Sequence, residues 1–181
     1  MADYFLAAAG ITLRNQIDKR WPKRDHASDG WIADAAHSTT SDHSPCWSCT
    51  GDRHGVVRAI DVDADLGAPG AMDTLTGQLR RCARDGEDNG RVAYIIWDGA
   101  ICSPTSSWRW RPYSGTNPHD KHCHVSFTDR GDLRGGLFPL PVFTAAKRRR
   151  LSRLVTRLSG RIDQLQHRRA KARRQRARLP G

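Results

Sequence analysis

The sequence lacks the features of an exported or membrane-anchored chain. Residues 1–10 have no basic n-region, and they contain no apolar run long enough for a secretory signal or a membrane span. We therefore expect synthesis in the cytoplasm. Cysteine is also scarce: the five cysteines are an odd number at irregular spacings, which does not fit the disulfide framework of a small secreted domain.

Only one pair of cysteines is closely spaced. Cys46 and Cys49 have two residues between them, a spacing that fits a loop disulfide or two reduced thiols. A structural zinc site completed by His54 or Cys123 is a third interpretation. Structural zinc sites take four ligands, however, and a lone CxxC pair supplies only two of them.

Acidic residues are almost absent from the end of the chain. Residues 143–181 carry 14 lysines and arginines and one acid, Asp163, a net charge of +13, whereas residues 1–142 carry a net charge of −2. We therefore predict two parts, a nearly neutral domain over residues 1–142 and a basic tail over residues 143–181. The tail has no aromatic residues interleaved with its basic ones, which predicts non-specific binding to an anionic wall polymer, an anionic membrane surface or nucleic acid.

The basic tail also carries a short apolar stripe. Its members recur at spacings of three and four residues, as one face of an amphipathic helix does: Leu151, Val155, Leu158, Ile162 and Leu165. A helix with such a stripe would dock on the rest of the protein or pair two chains into an oligomer.

The neutral domain contains both helical and extended patterns. The spacing of apolar residues predicts helices over residues 5–20 and 71–85. β-Branched or alternating runs predict four strands, over residues 56–62, 91–97, 100–102 and 122–127. Asp98 and Gly99 are typical of a hairpin turn. The predicted fold class is therefore α+β, with a small mixed or antiparallel sheet and flanking helices.

Histidine and aspartate residues gather around two of these strands. His43 precedes the strand that ends near Asp61. His122 and His124 share one face of the last strand, because side chains alternate along a strand. A catalytic zinc ion takes three protein ligands and leaves one position open. A loop histidine, a strand-end aspartate and a strand histidine can converge from one face of a sheet onto one ion, so the pattern favours a metal site. The isolated histidines are interpreted as surface residues: His26, His37, His54 and His167.

The same residues carry a resemblance to a known family. The chain contains Ser41-x-His43, then Gly55 and Ala59-x-Asp61, and later His122-x-His124. This series of residues resembles the motifs of the LAS-type zinc peptidases. That family contains D-Ala-D-Ala carboxypeptidases and dipeptidases, L-Ala-D-Glu endolysin peptidases and murein endopeptidases. Three further stretches resemble the version found in phage lysins: residues 28–37, 55–62 and 111–119. The resemblance covers residues 25–128, and it implies that His43, Asp61 and His124 bind zinc.

One spacing departs from the family pattern. The family separates its first histidine from the aspartate by seven positions, whereas His43 and Asp61 are eighteen positions apart. A turn-rich insertion over residues 45–54 would absorb the difference without moving either ligand. The insertion makes Asp63 and Asp65 alternative ligands, and Asp61 is preferred because the Ala-x-Asp spacing is intact.

The resemblance also implies roles for residues beside the metal. His122 would stabilise the oxyanion or transfer a proton. Asp120 would act as a general base or orient a histidine, unless it is a solvated turn residue. Apart from the resemblance, the aromatic stretch over residues 108–113 would line a groove for a peptide that bears carboxylates, with Arg111 and Tyr113 in contact with it, unless this stretch packs on the domain.

The resemblance implies a zinc-dependent peptidase that cuts stem peptides or cross-links of peptidoglycan. We expect a phage endolysin, made in the host cytoplasm and acting at the bacterial cell wall. Two other functions stay open. One is a bacterial D-Ala-D-Ala carboxypeptidase or dipeptidase, and the other is a virion or nucleic-acid-binding protein that keeps a relic zinc fold.

Overall fold

The computed structural model describes residues 3–33, 41–144, 152–162 and 164–165. Contacts divide the chain into two units, residues 1–143 and 144–181. The boundary lies one residue beyond the predicted one because Phe143 packs against Trp21, with 6.4 Å between the ring centres. Val142 also belongs to the first unit, since its backbone N–H donates to Oε1 of Gln78 at 2.7 Å.

The first unit is built around a five-stranded sheet. Its main elements in chain order are β1 (Phe5–Leu6), α1 (Ala8–Arg20), β2 (Val56–Val57), β3 (Ala59–Asp63), α2 (Ala71–Arg84), β4 (Val92–Trp97), β5 (Ala100–Cys102), β6 (Arg111–Pro112) and β7 (His122–Phe127). Five strands form the sheet in the order β3-β7-β4-β5-β6, with every neighbouring pair antiparallel. β1 and β2 form a separate parallel pair. The predicted α+β class is confirmed.

Both predicted helices of the first unit are present, and the first is shorter than expected. α1 begins at Ala8 because the two residues before Ala7 pair with β2 instead, and the N–H of Ala7 donates to the carbonyl of Val57 at 2.9 Å. Leu13 and Ile17 of α1 are fully buried. The predicted apolar face of α2 is also buried, at Met72, Leu75, Leu79 and Cys82.

The strand predictions are mostly confirmed. Asp98 and Gly99 have φ angles of 48° and 70°, the left-handed conformation that a two-residue turn between antiparallel strands requires. The strand expected over residues 56–62 is divided, because Arg58 separates β2 from β3. β6 is absent from the sequence prediction, since a strand of two residues is too short to show alternation.

The central strand β7 separates the core from the opposite face of the sheet. Alternate residues of β7 join the buried core that packs against α1 and α2. The remaining residues of β7 face the other side of the sheet: His122, His124 and Ser126. Asp61 of β3 is the direct ladder partner of His124, so the two side chains lie on the same face.

The described part of the second unit is helical over residues 152–162 and 164–165. Its large apolar residues are between 48% and 62% exposed: Leu154, Val155, Leu158, Ile162 and Leu165. Leu151 of the predicted stripe lies outside the described residues, as do His37 and His167. Among the described residues, no helix is both long enough and apolar enough to cross a membrane.

Candidate metal centre

The three predicted ligands meet at one point. Nε2 of His43 lies 3.2 Å from Oδ2 of Asp61, and Nδ1 of His124 lies 3.0 Å from Oδ1 of Asp61. The two imidazole nitrogens are themselves 3.2 Å apart. His43 and His124 are only 4% and 6% exposed, so both imidazoles are buried.

Backbone hydrogen bonds bring these side chains together. Asp61 and His124 are fixed by the β3–β7 ladder. His43 lies in a loop that backbone hydrogen bonds hold in place. The carbonyl of His43 accepts a hydrogen bond from the N–H of Ala33 at 2.9 Å, and the carbonyl of Asp42 accepts one from the N–H of Arg58 at 3.1 Å. The loop is therefore held directly beside the start of β3.

A chain of hydrogen bonds holds the far nitrogen of His124. Nε2 of His124 lies 2.9 Å from Oγ of Ser126, and the Ser126 hydroxyl donates to Oδ2 of Asp42 at 2.7 Å. Since the hydroxyl proton goes to the carboxylate, the serine oxygen accepts from Nε2–H. The lone pair of neutral His124 is then on Nδ1, which faces Asp61. Tyr94 stacks on this imidazole at 5.5 Å, and its hydroxyl bonds to the same serine and carboxylate.

His43 is oriented in a similar way. Its ring also bonds to the backbone carbonyl of Trp31. Because Nε2 faces Asp61, this bond is made by Nδ1–H, and the neutral ring presents a lone pair on Nε2. Two imidazole lone pairs and a carboxylate thus converge. A cation between them would stabilise these electron-rich groups, which otherwise face one another in a largely buried site. These three side chains can therefore hold a metal ion.

The charges of the cluster shift two pKa values in opposite directions. Without a cation at the site, burial alone would raise the pKa of Asp61, but the hydrogen bonds that His124 and His43 donate when their rings are protonated outweigh burial and hold this pKa well below its usual range. Burial alone would lower the pKa of His43, but the bond to Asp61 outweighs it and raises that pKa. Asp61 is therefore ionised at neutral pH, as a metal ligand must be.

Two more imidazoles border the ligands. Nε2 of His122 lies 3.8 Å from Oδ2 of Asp61. His119 is 8% exposed, and its ring centre lies 5.0 Å from that of His122 and 5.5 Å from that of His124. Burial and these two neighbouring imidazoles lower the pKa of His119 to about 4. His119 is missing from the sequence prediction, and its position three residues before the His-x-His motif is the signal that points to it.

The other predicted site residues occupy different environments. Asp120 is exposed and belongs to neither group of metal-binding side chains among the described residues. Arg111 is exposed on the edge strand β6. Tyr113 is half-buried beside the site, with its ring centre 5.4 Å from that of His119. Trp108 is 8% exposed and joins the core, so this end of the aromatic stretch packs on the domain.

Asp63, which the sequence offers as an alternative ligand, and the pair Cys46 and Cys49 are bonded to other groups. Both carboxylate oxygens of Asp63 accept backbone N–H groups, from Ser28 at 2.9 Å and from Asp65 at 2.8 Å. Cys46 and Cys49 form a disulfide. The loop-disulfide interpretation is therefore confirmed, and the interpretation as a structural zinc site is wrong because the thiolates that would bind zinc are bonded to each other.

Comparison of the chain with protein-family models, with curated proteins and with solved structures finds no match. The resemblance to the LAS-type zinc peptidases therefore rests on the motif residues alone. Four of these residues lie in or beside the cluster: His43, Asp61, His122 and His124. Their arrangement in space is the basis for a functional proposal.

Proposed function

We propose that this protein is a zinc-dependent peptidase that hydrolyses stem peptides or cross-links of peptidoglycan, as a phage endolysin. One observation carries the proposal: two imidazole lone pairs and a carboxylate converge at 3.0–3.2 Å, with two more imidazoles beside them. Three protein ligands are typical of a catalytic zinc ion, because a structural ion is closed by a fourth ligand.

The donor set fits zinc in type and in spacing. At metal–ligand distances of about 2.0–2.1 Å, tetrahedral coordination separates neighbouring donor atoms by roughly 3.3 Å. The two imidazole nitrogens are 3.2 Å apart, close to that value, and each lies near an oxygen of Asp61: Nδ1 of His124 is 3.0 Å from Oδ1, and Nε2 of His43 is 3.2 Å from Oδ2. Both imidazoles are also held by partners on their far nitrogens, as metal-binding histidines usually are.

The neighbouring side chains supply the rest of the chemistry. Zinc bound by His43, Asp61 and His124 would lower the pKa of water and polarise the scissile carbonyl. Nε2 of His122 lies beside Asp61, where it would transfer a proton or donate a hydrogen bond to the developing oxyanion. His119 stays neutral at pH 7 and would accept a hydrogen bond at the edge of the site.

Two parts of the chain would bind the substrate. Tyr113 stands against His119, and Arg111 lies two residues earlier on an exposed edge strand, so both would contact a peptide that enters the cluster. Arg111 would bind a carboxylate of the stem peptide through two parallel hydrogen bonds. The tail, with its net charge of +13, would bind anionic wall polymers or the membrane surface.

Digestion of purified peptidoglycan tests the proposal. Mass spectrometry should find new amino and carboxyl termini within stem peptides or cross-links, and chelation should stop their formation until zinc is added back. His124→Ala should be inactive, whereas His54→Ala changes an exposed histidine outside the cluster and should be active. Release of single D-alanine residues alone would identify a D-Ala-D-Ala carboxypeptidase, and no new termini from zinc-loaded protein would contradict the proposal.

The charge of the tail favours nucleic-acid binding as a second candidate function. Fourteen basic residues against one acid in residues 143–181 would bind DNA or RNA with a strong dependence on salt. Binding of the full chain to DNA, RNA and purified walls, measured over a series of salt concentrations, separates the two functions. Tight binding to nucleic acid without wall hydrolysis would make the metal cluster a relic.

A further inference from the structure

A second set of metal-binding side chains overlaps the first. The donor atoms of Asp61, His119 and His122 all lie within 4.8 Å of one another. Asp61 belongs to both sets. Its Oδ1 lies 3.0 Å from Nδ1 of His124, whereas its Oδ2 lies between the two sets, 3.2 Å from Nε2 of His43 and 3.8 Å from Nε2 of His122. A carboxylate in this position can bridge two cations.

His119 is held as metal-binding histidines are held. It donates from Nδ1 to the backbone carbonyl of Asn117 at 2.7 Å, which leaves its lone pair on Nε2. No group among the described residues hydrogen-bonds that nitrogen. Its backbone is fixed on both sides, since its N–H donates to Oδ1 of Asn117 at 3.0 Å and its carbonyl accepts from Asp98 at 3.1 Å. A buried imidazole is thus fixed beside Asp61, with a lone pair that has no hydrogen-bond partner in the part of the chain that the structure describes.

The geometry points to a second divalent-cation site, formed by Asp61, His119 and His122, which shares Asp61 with the first site. Two imidazoles and a carboxylate suit zinc or a similar transition-metal ion. The second site binds more weakly than the first, because the side chain of His122 is 17% exposed, whereas those of His43 and His124 in the first site are 6% and 7% exposed. A cation already held by Asp61 also repels a second one.

Filling the second site inhibits the chemistry proposed above. A cation on His122 takes the lone pair that would otherwise accept a proton. Zinc should therefore activate the protein at the first equivalent and inhibit it at the concentration that fills the second. This consequence rests on the proposed function, whereas the second site itself does not depend on it.

Zinc titration of the metal-free full chain, with metal analysis, tests the site. We expect two equivalents in the parent protein, with the second filling at higher zinc concentration. His119→Gln should bind one equivalent, with the affinity of the first site unchanged. His54→Gln is the matched control, because the exposed imidazole of His54 belongs to neither set, and it should still bind two equivalents.

Substitution of cobalt(II) for zinc reports whether the two sites are adjacent. Two ions in a shared site lie roughly 3.5–4 Å apart, so two cobalt ions should couple magnetically and lose intensity in electron paramagnetic resonance. Saturation of the parent at one equivalent, or a second equivalent without coupling, would overturn the second site whether or not the variants fold. Neither measurement depends on wall hydrolysis, so a failure here is distinct from a failure of the proposed function.

Discussion

Ser126 offers the most direct test of how the metal centre is organised. It is fully buried on β7, and its hydroxyl lies 2.9 Å from Nε2 of His124 and 2.7 Å from Oδ2 of Asp42. Ser126→Ala removes the acceptor for the imidazole and the donor to the carboxylate together. Because the residue is 0% exposed, bulk water does not reach the position to replace the hydroxyl.

The expected effect of Ser126→Ala is a loss of zinc affinity. In the parent protein, the serine holds the proton of His124 on Nε2 and leaves Nδ1 available to the ion. Without the hydroxyl, His124 is free to carry its proton on Nδ1 and donate it to Asp61, and zinc must displace that bond. Loss of such an outer partner lowers metal affinity by roughly 10–100-fold, which corresponds to about 1.4–2.7 kcal/mol.

Competition against a zinc-binding dye at neutral pH measures the dissociation constant of each variant. Ser103→Ala is a matched control, because Ser103 is also buried, at 9% exposed, and its hydroxyl is hydrogen-bonded to that of Thr105 at 2.9 Å. This control should lose some stability and keep its zinc affinity. Thermal unfolding of metal-free Ser126→Ala verifies its fold. An unchanged dissociation constant in folded Ser126→Ala would refute the role assigned to the serine.

The imidazoles beside the metal centre and the basic tail give three further tests. His122→Ala should keep the first zinc ion and the fold but lose most wall-degrading activity, whereas His124→Ala should also lose the metal; metal analysis and digestion assays check both. In metal-free protein the folded pKa of His119 is about 4 against an ordinary value of 6.5, so its contribution to stability is complete above pH 6.5 and is lost as the pH falls towards 4. Urea unfolding over that range should show a steeper pH dependence for the parent than for His119→Gln, and parallel curves would contradict this. Removing residues 144–181 should leave cleavage of soluble stem peptides unchanged and weaken binding to whole walls at low salt, with a difference that shrinks as salt screens the charge. Equal wall binding by the folded, truncated chain would leave nucleic-acid binding as the better explanation of the tail.

Periodicity predicts the long elements of the fold and misses the short ones. The patterns over residues 71–85 and 122–127 extend over several turns or alternations, and α2 and β7 occupy nearly the same ranges. β1 and β6 contain two residues each, so they have no period that a sequence can show. Their pairing depends on contacts with β2 and β5, and such tertiary contacts override local propensity.

The same distinction applies to the metal centre. His122 and His124 are predictable because alternation along a strand fixes the face on which they lie. His119 reaches the cluster through a turn in which its own φ is 57°, a conformation set by bonds to neighbouring loops and not by a local pattern. Ser126 is visible on the same face as His124, but its role depends on Asp42, which is 84 positions away in the chain.

The separation of His43 from Asp61 along the chain does not determine their separation in space. The intervening insertion is closed on itself: the N–H of Gly55 donates to the carbonyl of Cys46 at 3.0 Å, so the chain returns to the place where it left. The N–H of Cys46 donates in turn to the carbonyl of Val56 at 2.8 Å, which anchors the start of the insertion to β2. The disulfide between Cys46 and Cys49 closes the first turn of the same loop. Because a ligand's position depends on the path between anchored points, an insertion that begins and ends at one point adds surface without moving His43 away from Asp61.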